Sequence, residues 1–256
     1  NPKRVYGNRD SEPSTRMGNV AGYREAWIDA QSYMQAKALS EKLSDDKESD
    51  EEQELFKRDL KMETLSGVLK GEILIQNHCY RGEEMAVMID IAKEFNYRVT
   101  TFHHAIEAYK VADLLADNGV CAAMWADWWG FKQEAFDMVR ENIALVDYAQ
   151  ACAVIHSDNP IQVQRLNQEI AKAMSAGNRM GLDISAAKAI RWGTYNAAMS
   201  LGLEDQIGSL AVGKNADIVL WTKHPLSVYS LAQKVWIDGN LRFDRFDKSV
   251  QPTSDF

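Results

Sequence analysis

The stretch Ile73-Leu74-Ile75-Gln76-Asn77-His78-Cys79-Tyr80-Arg81 decides the fold, because a short strand-like run stops in it at a histidine. The same pattern recurs three times downstream, with polar or aromatic residues directly after each run. The recurrences are Arg98–Phe102 before His103-His104, Val120–Met124 before Trp125-Ala126-Asp127, and Ala151–Ile155 before His156-Ser157-Asp158. A helical pattern follows each run, so the sequence predicts alternating strands and helices.

This alternation predicts parallel strands that are joined by right-handed helical connections. In such sheets, and above all in eight-stranded barrels, catalytic groups gather at the carboxyl ends of the strands. The predicted strands are 72–77, 98–102, 120–124 and 151–155, and the predicted helices between and before them are 60–69, 82–95, 107–118 and 133–148. We further expect Asn159 to cap a helix that begins at Pro160, and Asp183 to cap the next helix.

The two ends of the chain differ from this repeat. Residues 1–20 have loop composition, and Tyr23–Leu43 has a helical apolar stripe. Glu41–Glu54 contains eight acidic residues and two lysines, which is typical of a solvated helix or connector, with an acidic binding face as the other interpretation. Near the carboxyl terminus, Asp238-Gly239 predicts a tight hairpin. We therefore predict three regions: residues 1–65 as a loop and charged helical segment, 66–205 as the repeat, and 206–256 as a β-rich portion with a tail.

Composition excludes several classes of function. A net charge of -8 argues against nucleic-acid binding, which normally uses a basic surface. No apolar run approaches the roughly 20 residues that span a bilayer, and no glycine-rich phosphate loop follows a predicted strand. The three cysteines lie in or beside predicted strands, so we expect buried thiols and no disulfide framework. Both an exported and a cytoplasmic location stay open.

Three strand-end residues are candidate metal ligands: His78, His104 and Asp158. Imidazole and carboxylate together suit zinc and similar divalent ions. His78 and His104 lie 26 residues apart, about one strand–helix unit, which places them at equivalent strand ends. A single histidine at a strand end is more often structural, so the residues alone leave a metal site and a structural role open.

Five segments resemble the amidohydrolase superfamily, and within it the imidazolonepropionase-like amidohydrolases. They are Asn1–Gly7, Ser14–Met17, His104–Asp113, His156–Pro160 and Ile207–Trp221. The resemblance covers nearly the whole chain. It implies the C-terminal half of a metal-dependent (β/α)8 TIM barrel, containing strands five to eight, together with part of a small β-sandwich domain.

The resemblance also implies roles for individual residues. His78 matches the metal ligand that ends the fifth strand, and His104 matches that of the sixth, with His103 as a rival for this position. Asp158 matches the aspartate that ends the eighth strand, which binds metal and takes a proton from the attacking water. One or two divalent ions, zinc first, are the implied cofactor. A metal lowers the pKa of bound water towards about 7, and a carboxylate touching that water can act as base.

Weaker candidates surround these residues. Tyr80, Arg81 and His103 are candidate substrate-binding residues, since a guanidinium suits planar contacts to a carboxylate or carbonyl. A salt-bridged rim position is the other interpretation of Arg81. Residues 127–129 either line the pocket or pack under a loop.

One element of the family is missing from this sequence. The family's first strand carries a His-x-His pair, and no such pair occurs here. Four strands cannot close an eight-stranded barrel. We therefore expect the C-terminal part of a longer protein, a cleavage product, or a chain that pairs with another chain supplying the first half, with homo-oligomerisation of the whole.

The function that the resemblance implies is metal-dependent hydrolysis of an amide or cyclic-amide C–N bond in a dipeptide-like or imidazolone-like small molecule. The alternative is a non-catalytic fragment or assembly subunit that needs another chain carrying the His-x-His pair.

Overall fold

The computed structural model describes Pro13 and residues 15–45 and 56–252 as an α/β chain. The chain divides into two units, residues 1–75 with 87–99 and residues 76–86 with 100–256. Most of the predicted loop 1–20 and most of the acidic run Glu41–Glu54 lie outside the described residues. The loop prediction was wrong for residues 16–20, which belong to the first helix. In the part of the chain that the structure describes, no helix has the length and apolar character needed to cross a membrane. The predicted three-region boundaries stay a prediction.

The first unit is built on two helices, α1 (Arg16–Asp45) and α2 (Leu60–Leu69). Both helices were predicted, although α1 begins earlier than its apolar stripe. Trp27 of α1 is buried and its ring lies 4.4 Å from the ring of Tyr97. Asp59 caps α2, since its carboxylate accepts hydrogen bonds from the next backbone N–H groups of the helix.

Glu63 of α2 carries the main ionic contact between these helices. Its carboxylate accepts hydrogen bonds from Nε and Nη2 of Arg58 at 2.8 and 2.6 Å, and from Nζ of Lys37 at 3.3 Å. The hydrogen bond from Arg58 is the largest cause that lowers the pKa of Glu63, from 4.5 to about 2. The carboxylate therefore stays ionised through the whole physiological range.

The larger sheet contains four strands in the order β1-β2-β3-β4. The strands are β1 (Ile75–His78), β2 (Val99–His103), β3 (Cys121–Met124) and β4 (Cys152–Ile155). β2 pairs with β3, and β3 with β4, in parallel, so the predicted parallel sheet is confirmed. Each residue of β3 is buried, as expected for a parallel strand that is covered on both faces.

Helices and short turns connect and follow these strands. The helices are α3 (Gly82–Glu94), α4 (Ala112–Asp117), α5 (Asn142–Tyr148), α6 (Leu166–Arg179), α7 (Ala186–Ile190) and α8 (Tyr195–Ser200). The side chain of Asn159 accepts hydrogen bonds from two following N–H groups, as a cap does. A short 3-10 turn, Gln162–Arg165, comes between that cap and α6.

Two predicted helix boundaries were wrong. The predicted helix 133–148 forms only a short turn at Gln133–Ala135, and α5 begins at Asn142. At the start of the predicted helix, Gly130 N–H donates to the carbonyl of Ala135 and closes a compact loop in place of a regular helical turn. α7 is capped by Ser185, whose hydroxyl accepts from the N–H of Lys188, and not by the predicted Asp183.

Two of the three cysteines are bridged, contrary to the expectation of free thiols. Cys121 and Cys152 lie directly opposite each other in the pairing of β3 with β4, and a disulfide joins them. Ala197 and Met199 of α8 pack against the cluster that contains Cys121. Cys79 is free and buried, and burial raises the pKa of its thiol to about 12.

The second sheet is a three-stranded antiparallel arrangement near the carboxyl terminus. Its strands are β5 (Ile218–Trp221), β6 (Ala232–Ile237) and β7 (Asn240–Asp244). The predicted hairpin is confirmed, because Asp238 and Gly239 join β6 to β7 with φ values of 50° and 76°. Positive φ at both central residues is what a two-residue type I′ turn requires.

The pairing of Glu63 generates a prediction about acid stability. A lowered folded-state pKa contributes stability that is present above the unfolded value and is lost as pH falls through the folded value. We expect wild type to exceed Glu63→Gln in free energy of unfolding at pH 7, and this difference to shrink between about pH 4.5 and 2. Urea unfolding at several pH values measures it. Glu25→Gln, on the exposed part of α1, is the control. If the difference in free energy of unfolding between wild type and Glu63→Gln did not change with pH, the ionic pairing of Glu63 would be contradicted.

The packing of Gly177 in α6 generates a second prediction. A Cβ atom at this position would lie 2.5 Å from Cδ1 of Ile184 and 2.6 Å from Cβ of Ala144. We expect Gly177→Ala to lower the free energy of unfolding by about 1–3 kcal/mol, because the core has no room for the methyl group. Gly22→Ala is the matched control, since nothing lies within 4 Å of its added Cβ. We expect this helical substitution to stabilise by about 0.5–1 kcal/mol. If Gly177→Ala stabilised the protein as Gly22→Ala does, the side chains around Gly177 would have room for a methyl group, and the prediction would be wrong.

Candidate active site

Four histidines converge at the carboxyl edge of the larger sheet. His78 ends β1, His103 ends β2, His104 follows β2, and His156 follows β4. The ring centroid of His104 lies 4.7 Å from that of His78 and 5.1 Å from that of His156. The ring centroid of His103 lies 6.1 Å from that of His156. The expected gathering of strand-end histidines therefore occurs.

Backbone geometry explains how two successive histidines reach the same cluster. Neighbouring residues of a strand point to opposite faces, but His104 has φ 60°, a left-handed conformation that breaks the alternation. Nε2 of His104 lies 2.7 Å from Nδ1 of His78. Nε2 of His103 instead lies 2.7 Å from Oε1 of Gln76. His104 is thus the direct neighbour of His78, while His103 flanks the pair.

Burial favours the neutral form of three of these imidazoles, those of His103, His104 and His156. Removal from water lowers the pKa of His104 and of His156 to about 3, with the neighbouring histidines as the next cause for each. The pKa of His103 is lowered for the same reason. Neutral imidazole is the form that binds metal ions and accepts protons.

Two buried nitrogen atoms of the cluster lack a hydrogen-bond partner, namely Nδ1 of His104 and Nε2 of His156. Such atoms are costly unless something binds them. Nδ1 of His104 lies 3.8 Å from Oδ2 of Asp158, whose side chain is 59% exposed. The donor set of neutral imidazoles and one carboxylate fits a divalent ion by its chemistry. The described residues nevertheless include no group of three or more such side chains arranged to hold a metal.

Trp125 supports the cluster, a role that the sequence reading did not assign. It is buried, follows β3, and stacks on His104 and His156 with centroid distances of 4.9 Å to each. Its Nε1 donates a 2.7 Å hydrogen bond to the carbonyl of Ser157. The indole therefore fixes the segment that carries His156 and Asp158. The sequence signal that could have indicated this role is the position of Trp125 directly after a predicted strand, which is equivalent to the position of His156.

An aromatic and cationic wall borders the histidines. The ring of Tyr80 stacks on His104 at 5.1 Å, and Nζ of Lys132 lies 3.8 Å from the centre of the Tyr80 ring. Trp128 and Phe131 contact Trp125 edge-on. Of the predicted substrate-binding residues, Tyr80 and His103 thus lie in the cluster.

Arg81 directly follows Tyr80, and its Nη1 lies 3.6 Å from Oε1 of Glu83. This contact is the rim salt bridge of the alternative interpretation, yet its Nε is buried without a hydrogen-bond partner. Asp127 lies apart from this wall and pairs with Lys172 at 2.9 Å.

A buried amide holds the loop that follows His104. Nδ2 of Asn142 donates to the carbonyls of Ala105 and Ile106, and its Oδ1 accepts from the N–H of Tyr109. All the polar atoms of this side chain are therefore satisfied by one loop. Asn142 is a positioning residue that the sequence reading placed in the middle of a helix.

A large cavity lies away from the histidines. Its volume is about 990 Å³, and it is bordered by α6, α8 and β5. No histidine lines it. We assign the candidate site to the strand ends, because the unpartnered nitrogens and neutral imidazoles are there and not in this cavity.

The fold and site define an α/β protein with a polyhistidine centre at the carboxyl edge of a parallel sheet. The amidohydrolase family model matches residues 43–251, so the chain belongs to the amidohydrolase family. This confirms the predicted superfamily, while the imidazolonepropionase-like branch stays a prediction.

Three relatives illustrate the likeness. Amidohydrolase tasK from Hapsidospora irregularis is 32% identical over 250 residues, which are 95% of this chain and 25% of that protein. An amidohydrolase from Thermotoga maritima MSB8 superposes with a TM-score of 0.80 at 34% identity, covering 96% of this chain and 61% of that one. An adenosine deaminase from Xanthomonas campestris, solved with bound zinc, gives a TM-score of 0.50 at 20% identity over 73% of this chain and 49% of that one, and shows likeness of fold alone. The chain thus spans about a quarter of the curated relative and about three fifths of the Thermotoga structure.

The hydrogen bond of Trp125 generates a prediction. Trp125→Phe retains an aromatic ring but leaves the carbonyl of Ser157 without its donor, so we expect a loss of about 1–3 kcal/mol in the free energy of unfolding. Denaturant unfolding measures the loss. Trp129→Phe is the matched control, because Trp129 is 41% exposed, and we expect a change within about 0.5 kcal/mol. Equal losses in both variants would show that the Trp125 hydrogen bond does not hold the segment.

Proposed function

We propose that this protein acts as a metal-dependent hydrolase of amide or cyclic-amide C–N bonds in dipeptide-like or imidazolone-like small molecules. The observation that carries the proposal is the contact of His104 with both His78 and Asp158 at one sheet edge, with Nδ1 of His104 buried and without a hydrogen-bond partner. Membership of the amidohydrolase family supports the class of reaction.

The residues that would hold the divalent ion are His78, His104 and Asp158. One or two divalent ions, most simply zinc, would supply Lewis-acid chemistry that activates water and polarises a carbonyl. The low pKa of His104 supports this use, because a ligand must be unprotonated to bind. The zinc in the Xanthomonas adenosine deaminase structure supports the choice of metal.

Asp158 is the proposed catalytic base. Its side chain is largely exposed at the cluster, so its carboxylate can reach both a water molecule and a bound amide. It accepts a proton from the attacking water as the new C–O bond forms. It then returns that proton to the amide nitrogen as the C–N bond breaks. The buried ring of His104 excludes bulk water from one side of the carboxylate.

Tyr80, Arg81 and His103 are the proposed substrate-binding residues. Tyr80 and His103 border the His78–His104 pair directly. Arg81 follows in sequence, and its unpartnered Nε leaves a donor for a substrate carbonyl or carboxylate. A small molecule is therefore the partner that this site suits.

We further propose that the larger sheet is the C-terminal half of a (β/α)8 barrel and that β5–β7 are part of a small β-sandwich. The four strands of the larger sheet lie in consecutive order with helices between them, which supports the proposed barrel half. The Thermotoga relative, of which the chain covers 61%, supports additional strands from elsewhere in an amidohydrolase chain. The His-x-His pair that this sequence lacks would come with those strands.

The comparisons give no support to the alternative of a separate chain that supplies the first half. The partner chain stays a prediction. A non-catalytic role and homo-oligomerisation also stay predictions. Co-purification with a second chain carrying a His-x-His pair would favour the alternative.

Substitution of the proposed ligands separates metal binding from proton transfer. We expect His78→Ala in the full-length protein to lower the bound zinc per chain, because an imidazole ligand is lost. We expect Asp158→Asn to retain more zinc yet lower turnover of a dipeptide panel by about 10²–10⁴-fold, because the base is lost. Elemental analysis and amino-acid release measure the two effects.

His224→Ala is the control for both variants, because Nδ1 of His224 accepts a local hydrogen bond from Leu226 and does not contact the cluster. We expect it to leave zinc content and turnover unchanged. Full activity in both His78→Ala and Asp158→Asn would show that the site is misassigned. Absence of a stoichiometric divalent ion from the active protein would overturn metal dependence.

A further inference from the structure

A lysine that the proposed reaction does not use lies beside the histidine cluster. Nζ of Lys132 lies 3.8 Å from the centre of the Tyr80 ring and 5.5 Å from that of Phe131. The Tyr80 ring also stacks on His104, so one ring contacts both the ammonium group and a proposed metal ligand. The ammonium is therefore placed one side chain away from the reacting centre.

The backbone fixes this placement. Gly130 N–H donates to the carbonyl of Ala135, and Ala135 N–H donates to the carbonyl of Lys132, which closes a compact turn after β3. Ala135 is buried in a cluster with Tyr80 and Trp125. The turn therefore packs against the same aromatic residues that border the histidines. These contacts and hydrogen bonds hold the backbone of Lys132 in place.

The electrostatic surroundings connect Lys132 with the site. Burial lowers the pKa of Lys132, whereas the carboxylates of Glu134 and Asp158 raise it. The Tyr80 ring contacts both the ammonium group and the ring of His104, which places the ammonium within electrostatic range of the cluster.

The neighbouring surface is apolar and aromatic. Trp128 is half-buried against Trp125, and Phe131 is 45% exposed with its ring 5.3 Å from that of Trp128. An aromatic surface beside a cation suits a ligand that combines an apolar group with a negative charge.

We propose that Lys132 and the aromatic surface of Trp128 and Phe131 form a subsite for a substrate with a free carboxylate and a neighbouring aromatic or apolar side chain. This inference rests on the proposed function and narrows its substrate class to dipeptide-like acids. One ammonium group is a point charge that suits a monoanion. The nearby carboxylates of Glu134 and Asp158 oppose a dianion such as a phosphate ester.

The first experiment measures binding without any reaction. The probes are 3-phenylpropionate and neutral 3-phenylpropanol, which have no amide bond, titrated calorimetrically into the zinc-loaded full-length protein. We expect wild type to bind the acid at least about tenfold more tightly, since a charge-assisted contact contributes about 1.5–3 kcal/mol. Lys132→Met should weaken binding of the acid about ten- to a hundredfold and that of the alcohol less than about threefold.

Two further variants serve as controls. Lys132→Arg keeps the positive charge and should retain most of the preference for the acid. Lys61→Met removes an exposed lysine from α2 and should change neither affinity. A purely structural role of Lys132 would lower the free energy of unfolding and weaken both probes equally, and that result would overturn the inference. Equal affinity of wild type for acid and alcohol would overturn it as well.

The second experiment uses turnover and separates the two proposals. The substrates are glycyl-L-phenylalanine and glycyl-L-phenylalaninamide, compared by kcat/KM. Loss of the preference for the free acid in Lys132→Met supports the subsite. Hydrolysis of both substrates with no effect of Lys132→Met overturns the subsite and leaves the proposed function intact. Hydrolysis of neither, with the binding preference retained, overturns dipeptide hydrolysis and supports the anion subsite.

Discussion

The alignment of neighbouring parallel strands is the constraint on which the site depends. His103 pairs with Ala123 across β2 and β3, and Met124 pairs with Ile155 across β3 and β4. Because these residues are paired in register, the residues that directly follow each strand lie side by side at the carboxyl edge of the sheet. Trp125 and His156 thereby meet ring to ring. A shift of one residue in a strand would turn its side chains to the other face and disperse the cluster.

The left-handed backbone at His104 adds a second constraint. Regular alternation would send two successive histidines to opposite faces of the sheet. The positive φ of His104 brings its ring to the pair with His78, while His103 bonds Gln76. Asn142 then holds the loop that follows through the carbonyls of Ala105 and Ile106. The cluster is consequently supported from the strand side and from the loop side.

The sequence predicted the elements that short-range patterns determine. The strand–helix alternation, the hairpin at Asp238-Gly239 and the meeting of His78 with His104 are confirmed. It failed where the backbone closes a loop in place of a helix, as between Gly130 and Ala135 at the start of the predicted helix 133–148. The support that Trp125 gives to Ser157 was also missed, because a hydrogen bond across 32 residues leaves no periodic signal.

The missed disulfide, in contrast, was encoded in the repeat. Cys121 and Cys152 are the first residues of adjacent parallel strands, so the strand–helix period sets them level. The bridge joins residues 31 positions apart in the sequence. In the chain-entropy account it lowers the conformational entropy of the unfolded chain, which stabilises the folded state by about 3.5–4 kcal/mol. Cys121 is buried and α8 packs against its cluster, but Cys152 is only partly buried. A reducing agent therefore reaches the bridge from the Cys152 side, and reduction would remove the covalent link between the amino ends of β3 and β4.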